Sequence, residues 1–140
     1  MVGMFKDNPF HKALEPVQIE DPTNPKDLIG QRKPPMSLLP GVARVQTVKA
    51  LENGAAKYGR FNWRSTNVRM SIYLDAIERH LIALADGEDV AEDSGISHLG
   101  HIMAGAAILL DAAACGTLID DRPPAGGTAK LLKECIKHAV

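Results

Sequence analysis

The stretch that decides the fold is Tyr73–His101, YLDAIERHLIALADGEDVAEDSGISHLGH. Its first half repeats apolar residues at the i, i+3, i+4, i+7 spacing of an amphipathic helix, which Gly87 ends. Its second half opens a run that is apolar on nearly every side up to Cys115, and such a helix must be buried all round. Polar side chains cluster in this stretch, and they are costly to bury without partners. The stretch therefore predicts a helical bundle with a metal or phosphate site.

Working outward, the rest of the chain predicts an all-α domain over residues 36–140. Ser37 and Pro40 favour the start of a first helix that Gly59 ends. Asp93 or Ser94 is placed to cap the apolar helix, and a short helix follows DDRPPAGG. No strand-like alternation or internal repeat is present. Residues 1–35 contain repeated prolines, which predict an extended N-terminal arm with a turn near Asn24-Pro25.

Bulk composition excludes several classes of protein. The chain has 140 residues and a net charge of -1, which suits one domain and gives no electrostatic footprint for nucleic acid or an acidic membrane. The apolar run Ile102–Cys115 is short for a bilayer and contains Asp111. Cys115 and Cys135 are expected to be small core residues in a reducing compartment. With no signal-peptide pattern, we expect a cytoplasmic protein that enters no membrane.

Two acidic residues three apart could serve a metal site. Asp75 and Glu78 can reach one spot from a single helix, and His80 flanks the apolar stripe on its other edge. The plainer interpretation is a solvated acidic face beside a core histidine.

Two histidines strengthen the metal interpretation. His98 and His101 are three apart on a helix with few other polar side chains, and histidines with carboxylates suit Mn²⁺ or Zn²⁺. Asp93 is either a cap or a ligand, and Glu88 could reach the same region. Structural hydrogen bonding remains the alternative for the histidine pair.

A basic and aromatic segment, KYGRFNWR, lies between the first two helices. It contains Lys57, Tyr58, Asn62, Trp63 and Arg64, which together can stack a base, bond its edge and hold a phosphate. Arg79 could neutralise a polyphosphate. An aromatic residue in a loop more often packs on its own domain. P-loop, dinucleotide-binding and nucleophile-elbow motifs are absent.

Six segments resemble, in order, the phage-type dATP/dGTP diphosphohydrolase domain, which is related to the MazG-like nucleotide pyrophosphohydrolases. They are NPKDLIGQRKPP (24–35), KYGRFNWR (57–64), YLDAIERHL (73–81), GED (87–89), SGISHLGH (94–101) and DDRPP (120–124).

The resemblance implies a MazG-like helical bundle that assembles as a dimer or tetramer and uses two or three Mg²⁺ or Mn²⁺ ions. Water would attack the α-phosphorus of a purine deoxynucleoside triphosphate and release pyrophosphate. The resemblance favours dGTP, giving dGMP, as in MazZ-like enzymes that feed 2-aminoadenine DNA synthesis in phages. The host cytoplasm is the implied location for a phage protein.

The resemblance also implies residue roles. Asp75 and Glu78 fill the first of two carboxylate slots, with Glu78 the first candidate base. His98 and His101 stand in the second slot. Either they bind metal, or they contact phosphate while Glu88 or Asp93 supplies oxygen ligands.

Given the reaction that the resemblance implies, the charged and aromatic side chains are candidates for contacts with the substrate. Lys57, Arg64 and Arg79, with Lys26 from the arm, are expected to hold the pyrophosphate. Tyr58, Asn62 and Trp63 are expected to hold base and sugar, with His80 among the substrate-binding residues. The alternatives are a non-enzymatic helical nucleotide-binding or interaction module, and an HD-type triphosphohydrolase, which the missing His-Asp dipeptide disfavours.

Overall fold

A computed structural model describes residues 24–135 of the chain. It contains helix α1 (Pro25–Gly30), helix α2 (Gly41–Tyr58), strand β1 (Val68–Arg69), helix α3 (Met70–Ala85), helix α4 (His98–Cys115), strand β2 (Leu118–Ile119) and helix α5 (Thr128–Glu134). The described residues divide into two compact units, with the boundary between Leu38 and Leu39. The predominance of helix over these residues confirms the predicted all-α class.

The proline-rich arm contains a short helix. The Asn24 side chain accepts a hydrogen bond from the Lys26 amide at 3.0 Å, and Pro25 supplies a preset φ for the first turn. The expected turn at Asn24-Pro25 is therefore the start of α1, and residues 25–30 are helical rather than extended. The predicted arm before residue 24 lies outside the described residues.

Helix α4 is the centre of the second unit and packs against both α2 and α3. Two glycines allow this close approach. A Cβ on Gly100 would lie 2.7 Å from the Gln46 carbonyl oxygen of α2, and one on Gly105 would lie 3.1 Å from Ile77 Cγ1 of α3. The small residues of α4 thus set the distance at which its neighbours pack.

The start of α4 differs from the prediction. The helix begins at His98 with Ser97 as its N-cap, so neither Asp93 nor Ser94 caps it. Residues 90–97 form a loop instead, closed by an antiparallel bridge between Val90 and Ser97 and by the Ala91 amide donating to the Ile96 carbonyl at 2.9 Å. These backbone bonds hold the capping-type residues outside the helix. The predicted end of α2 is confirmed, because Gly59 follows it with a φ of 92°.

A two-stranded sheet joins the segment before α3 to the segment after α4. β1 and β2 pair in parallel, with Val68 opposite Leu118, which the sequence did not predict. Val68, Leu109 and Ala112 form the buried centre. Partly buried side chains pack around them: Trp63, Met70, Tyr73, Ile77 and Leu118.

Much apolar surface stays exposed in the single chain. No large side chain in the described residues is fully buried, and Val42 and Leu110 are 76% and 75% exposed. Cys115 and Cys135 are free thiols at the surface, so their prediction as core residues was wrong. Helix α4 alone among the described helices is long and apolar enough to cross a membrane by length and composition. Its central packing gives a second reason for that composition.

Candidate functional site

A pocket of about 440 Å³ lies among α2, α3 and α4. Most of its polar and aromatic lining comes from segments that the sequence singled out. These lining residues are Lys57, Tyr58, Asn62, Trp63, Tyr73, His80, Asp93 and His101. Four of them come from the KYGRFNWR segment, so the fold brings this segment against the histidines of α3 and α4.

Trp63 and Arg64 are held in place by one carboxylate on α4. Trp63 Nε1 donates to Asp111 Oδ2 at 2.6 Å, and Arg64 Nε donates to the same oxygen at 2.7 Å. The Arg64 side chain, followed by Trp63, lowers the pKa of Asp111 below its usual range by hydrogen bonding. The indole is therefore fixed at the pocket wall, and the Arg64 guanidinium is already engaged with an anion.

Three histidines form a cluster at the other side of the pocket. His80 and His101 are stacked, with ring centroids 4.6 Å apart and planes inclined by 4°. His80 Nδ1 lies 2.8 Å from His98 Nδ1, so one of these nitrogens donates a hydrogen bond and the other accepts it. His101 Nε2 pairs with the Ser94 hydroxyl at 2.8 Å.

The environment of His98 indicates which nitrogen donates. His98 is buried, and its Nε2 has no hydrogen-bond partner within the described residues. The Glu88 carboxylate lies 3.7 Å from that nitrogen. A facing carboxylate favours a proton on Nε2, so we assign His98 Nδ1 as the acceptor and His80 Nδ1 as the donor. This tautomer leaves the lone pair of His80 on Nε2.

The histidines that line the pocket are biased towards the neutral form. Burial lowers the pKa of His80, and the neighbouring His101 and His98 lower it further. Burial is also the main cause that lowers the pKa of His101, against the opposing effect of Asp93. A neutral imidazole with a lone pair can take a proton from water.

Lys57 and Asp93 face each other at the edge of the pocket. Lys57 Nζ lies 3.9 Å from Asp93 Oδ2, with side chains 50% and 75% exposed. This separation is longer than a hydrogen bond, and exposed pairs contribute little to stability. Both side chains are therefore available to an incoming ligand at little energetic cost.

The predicted carboxylate pair lies elsewhere. The α3 residues that line the pocket, among them Tyr73, Ile77 and His80, occupy one face. At roughly 100° of rotation per residue, Asp75 and Glu78 fall on the opposite face, and both are exposed. Arg79 is also exposed and is not part of the pocket lining.

A second cavity, of about 600 Å³, contains none of the predicted site residues. It lies along residues 120–126 beside Leu74. Its charged groups neutralise each other, because Arg122 Nη2 donates to Asp120 Oδ2 at 2.6 Å. The pocket with the histidines and Lys57 is therefore the better candidate site.

Comparison with known families identifies the chain's relatives. Residues 23–122 match the family model described as dATP/dGTP diphosphohydrolase, N-terminal. The chain belongs to this family. The match covers most of the chain and every segment that lines the pocket, and it confirms the resemblance seen in the sequence.

One curated relative is the dATP/dGTP diphosphohydrolase of Salmonella phage PMBT28. It is 32% identical over 75 residues, which are 54% of this chain and 25% of the relative. The chain thus aligns with a quarter of that protein's length. No solved structure is significantly similar to the chain.

Within the described residues, the side chains of one chain do not form a closed metal centre. No group of three or more His, Cys, Asp or Glu residues converges there with metal-binding geometry. Asp93 and His101 line the pocket, Glu88 and His98 lie near each other outside its lining, and Asp75 and Glu78 are exposed on the opposite face of α3. The predicted ligand set stays a prediction, and the residues do not fit a resident metal cluster within one chain.

Sequence reasoning missed the residue that organises the site. Asp111 anchors both Trp63 and Arg64, yet it was noted only as a charge that argues against a membrane span. The signal was present, because a lone carboxylate in an apolar helix is partly removed from water and favours a donor or cation as its partner. The pairing partner follows only from the fold.

Proposed function

We propose that this domain binds and hydrolyses purine deoxynucleoside triphosphates, dGTP and dATP, to the monophosphate and pyrophosphate. One observation carries the proposal. In a chain of this family, a single pocket gathers a cation, a fixed indole, an amide and imidazoles, which are the groups that a nucleotide needs. The preference for dGTP rests on the family resemblance.

The base and sugar are assigned to the aromatic part of the pocket. Trp63 is fixed by its hydrogen bond to Asp111, so it offers a preorganised stacking surface. Asn62 and Tyr58 lie beside it and can donate to or accept from the edge of a base or a sugar hydroxyl.

The phosphates are assigned to the Lys57 end. Its ion pair with Asp93 is loose, so Lys57 can exchange this partner for a phosphate oxygen. Arg79 is exposed outside the pocket lining, and Lys26 belongs to the first unit of the chain, so their phosphate contacts stay predictions from the sequence. Arg64 contributes indirectly, because its guanidinium binds the Asp111 carboxylate that also holds Trp63.

Hydrolysis needs water to be activated and phosphate charge to be neutralised. Mg²⁺ is usually held by substrate phosphates and one or two carboxylates. The proposed substrate is therefore the Mg²⁺ or Mn²⁺ complex of the triphosphate, and Asp93 is the pocket carboxylate that would contact the ion. Water attacks the α-phosphorus, the bond to the oxygen bridging to the β-phosphate breaks, and pyrophosphate leaves.

The proton of the attacking water needs an acceptor. Within one chain, His80 is the pocket side chain whose lone pair and lowered pKa suit this role. Glu78 and Asp75 remain the predicted base and ion ligands, and they would act at a pocket only where another copy brings this face of α3 to it.

The same domain is proposed to form a homo-oligomer with the MazG-like arrangement. Val42, Val45 and Val48 of α2 share a side of the helix and are each more than half exposed. Burying such side chains stabilises an assembly in proportion to the apolar area removed from water. In a phage, the dGMP product would feed nucleotide pathways such as 2-aminoadenine DNA synthesis.

Product analysis tests the activity directly. Purified protein is incubated with dGTP, dATP, GTP or dCTP in Mg²⁺, Mn²⁺ or EDTA, and products are separated by ion exchange. Metal-dependent dGMP and pyrophosphate are expected. Tripolyphosphate would indicate the HD-type reaction, and no turnover of any nucleotide would indicate a non-enzymatic binding module.

A further inference from the structure

One glycine of the pocket is not explained by helix packing. Glycine is disfavoured inside helices because its backbone is more flexible in the unfolded chain. Gly100 and Gly105 of α4 offset this cost by close contacts, at 2.7 Å to Gln46 and 3.1 Å to Ile77. Gly54 lies in the interior of α2, and a Cβ added there would meet no atom within 4 Å. Its missing side chain leaves open space.

That open space belongs to the pocket. Ala50, Gly54, Lys57 and Tyr58 recur at helical spacing and all line it, so they share one face of α2. Gly54 lies between a buried alanine and the two polar residues at the end of the helix. The pocket therefore extends to bare backbone between its apolar part and its Lys57 end.

The apolar part of the same pocket suits a flat ring. Leu51, Ile77 and Ile108 line the same pocket, with Tyr73 and Trp63 as its aromatic members. A side chain at position 54 would occupy volume that a two-ring base needs more than a one-ring base does. Ligand pockets discriminate between related molecules by such differences in volume.

We propose that Gly54 is a specificity-determining residue, whose bare backbone leaves room for the purine ring of the nucleotide. This inference rests on the proposed function, since it names which part of the substrate lies against α2. It makes Gly54 a size filter that admits purines, and it assigns no chemical step to this residue.

Equilibrium binding of the products dGMP and dCMP tests this role without turnover. Trp63 is the sole tryptophan and lines the pocket, so its fluorescence reports occupancy. In Gly54→Leu we expect dGMP binding to weaken at least about tenfold while dCMP binding changes much less. Gly54→Ala adds one methyl group, and we expect a smaller loss of dGMP affinity together with a higher Tm. The alanine variant keeps the test valid if the leucine variant does not fold.

Ala56→Leu is the matched control, because it adds similar bulk to an exposed position of α2 outside the pocket. Unchanged dGMP binding in Gly54→Leu, or equal weakening of dGMP and dCMP, overturns the inference alone. A change in the oligomeric state of Gly54→Leu, measured by light scattering, also overturns the inference, because the glycine would then serve contacts between copies. A wild-type chain that neither binds these products nor turns over dGTP or dATP overturns the proposed function, and this inference with it.

Discussion

His80 Nδ1 and His98 Nδ1 lie 2.8 Å apart, on helices that are separated in sequence by the loop carrying Glu88 and Asp93. Such a bond between two neutral imidazoles requires opposite tautomers on the two rings. The buried Nε2 of His98 and the Glu88 carboxylate at 3.7 Å favour one of the two possibilities. The hydrogen-bonded pair therefore connects Glu88 in the loop to the pocket wall through the imidazole rings of His98 and His80.

Substitutions at His98 test this pair. Asparagine places a polar atom near the Nδ1 position, whereas glutamine places one near Nε2. His98→Gln should therefore lose the bond to His80, and we expect it to be less stable than His98→Asn by about 1 kcal/mol. Urea denaturation in EDTA, followed by Trp63 fluorescence, measures the difference. Equal stability of the two variants would show that the bond contributes nothing.

Close packing at Gly100 gives a second prediction. A Cβ at this position would lie 2.7 Å from the Gln46 carbonyl oxygen, and backbone cannot move away cheaply. We expect Gly100→Ala to lower the free energy of unfolding by roughly 1–3 kcal/mol. Gly54→Ala is the control in open space, and it should raise stability by about 0.5–1 kcal/mol. Destabilisation by both variants would mean that helix position rather than contact decides.

The Asp111 anchor predicts a pH dependence of stability. Hydrogen bonds from Arg64 and Trp63 lower the folded-state pKa of Asp111 below its unfolded value of about 3.9. Its contribution is therefore present above that pH and is lost as the pH falls through the folded pKa. We expect Asp111→Asn to be destabilised at pH 7, with the gap to wild type narrowing as the pH falls below about 4.

Urea denaturation at several pH values measures that gap. Glu52→Gln removes an exposed carboxylate from α2 and should show little effect at any of them. A gap between Asp111→Asn and wild type that stays constant down to pH 2 would exclude Asp111 as the titrating group.

The periodicity of apolar residues predicted where the helices lie better than it predicted which of their faces pack against other elements. The stripe of α3 showed an amphipathic helix, but it could not show which part of the stripe would be covered. Leu74 and Leu81 belong to that stripe and are 40% and 44% exposed, while His80 lines the pocket. The part of the stripe that is covered also decides whether Asp75 and Glu78 face the pocket, and periodicity alone does not fix it.

Local capping rules placed the start of α4 too early for a physical reason. Ser94 has the chemistry of an N-cap, but its hydroxyl pairs with His101 Nε2 at 2.8 Å and stays in the loop. The competing bonds connect residues across a turn and into the next helix, which a local rule does not consider. The KYGRFNWR segment lines the pocket with four residues, while its Trp63 also packs against the core, and its part in nucleotide binding stays a prediction.

Two carboxylates at different places in the fold, Asp93 in the loop before α4 and Asp75 on α3, give the last prediction. Asp93 lines the pocket, and we expect Asp93→Asn to lower turnover of dGTP roughly 100-fold or more, because neutral asparagine is a poor contact for the ion of the substrate complex. Glu92→Gln, at the exposed neighbouring position outside the pocket lining, is its matched control and should keep turnover. Steady-state kinetics, together with melting curves, separates a loss of turnover from a loss of the fold.

Asp75→Asn belongs in the same series: loss of turnover with the fold retained would support Asp75 as an ion ligand, brought to a pocket by a second copy. Full turnover in Asp75→Asn together with loss in Asp93→Asn would restrict the site to the pocket of one chain. Full turnover in Asp93→Asn would instead remove Asp93 from the proposed site.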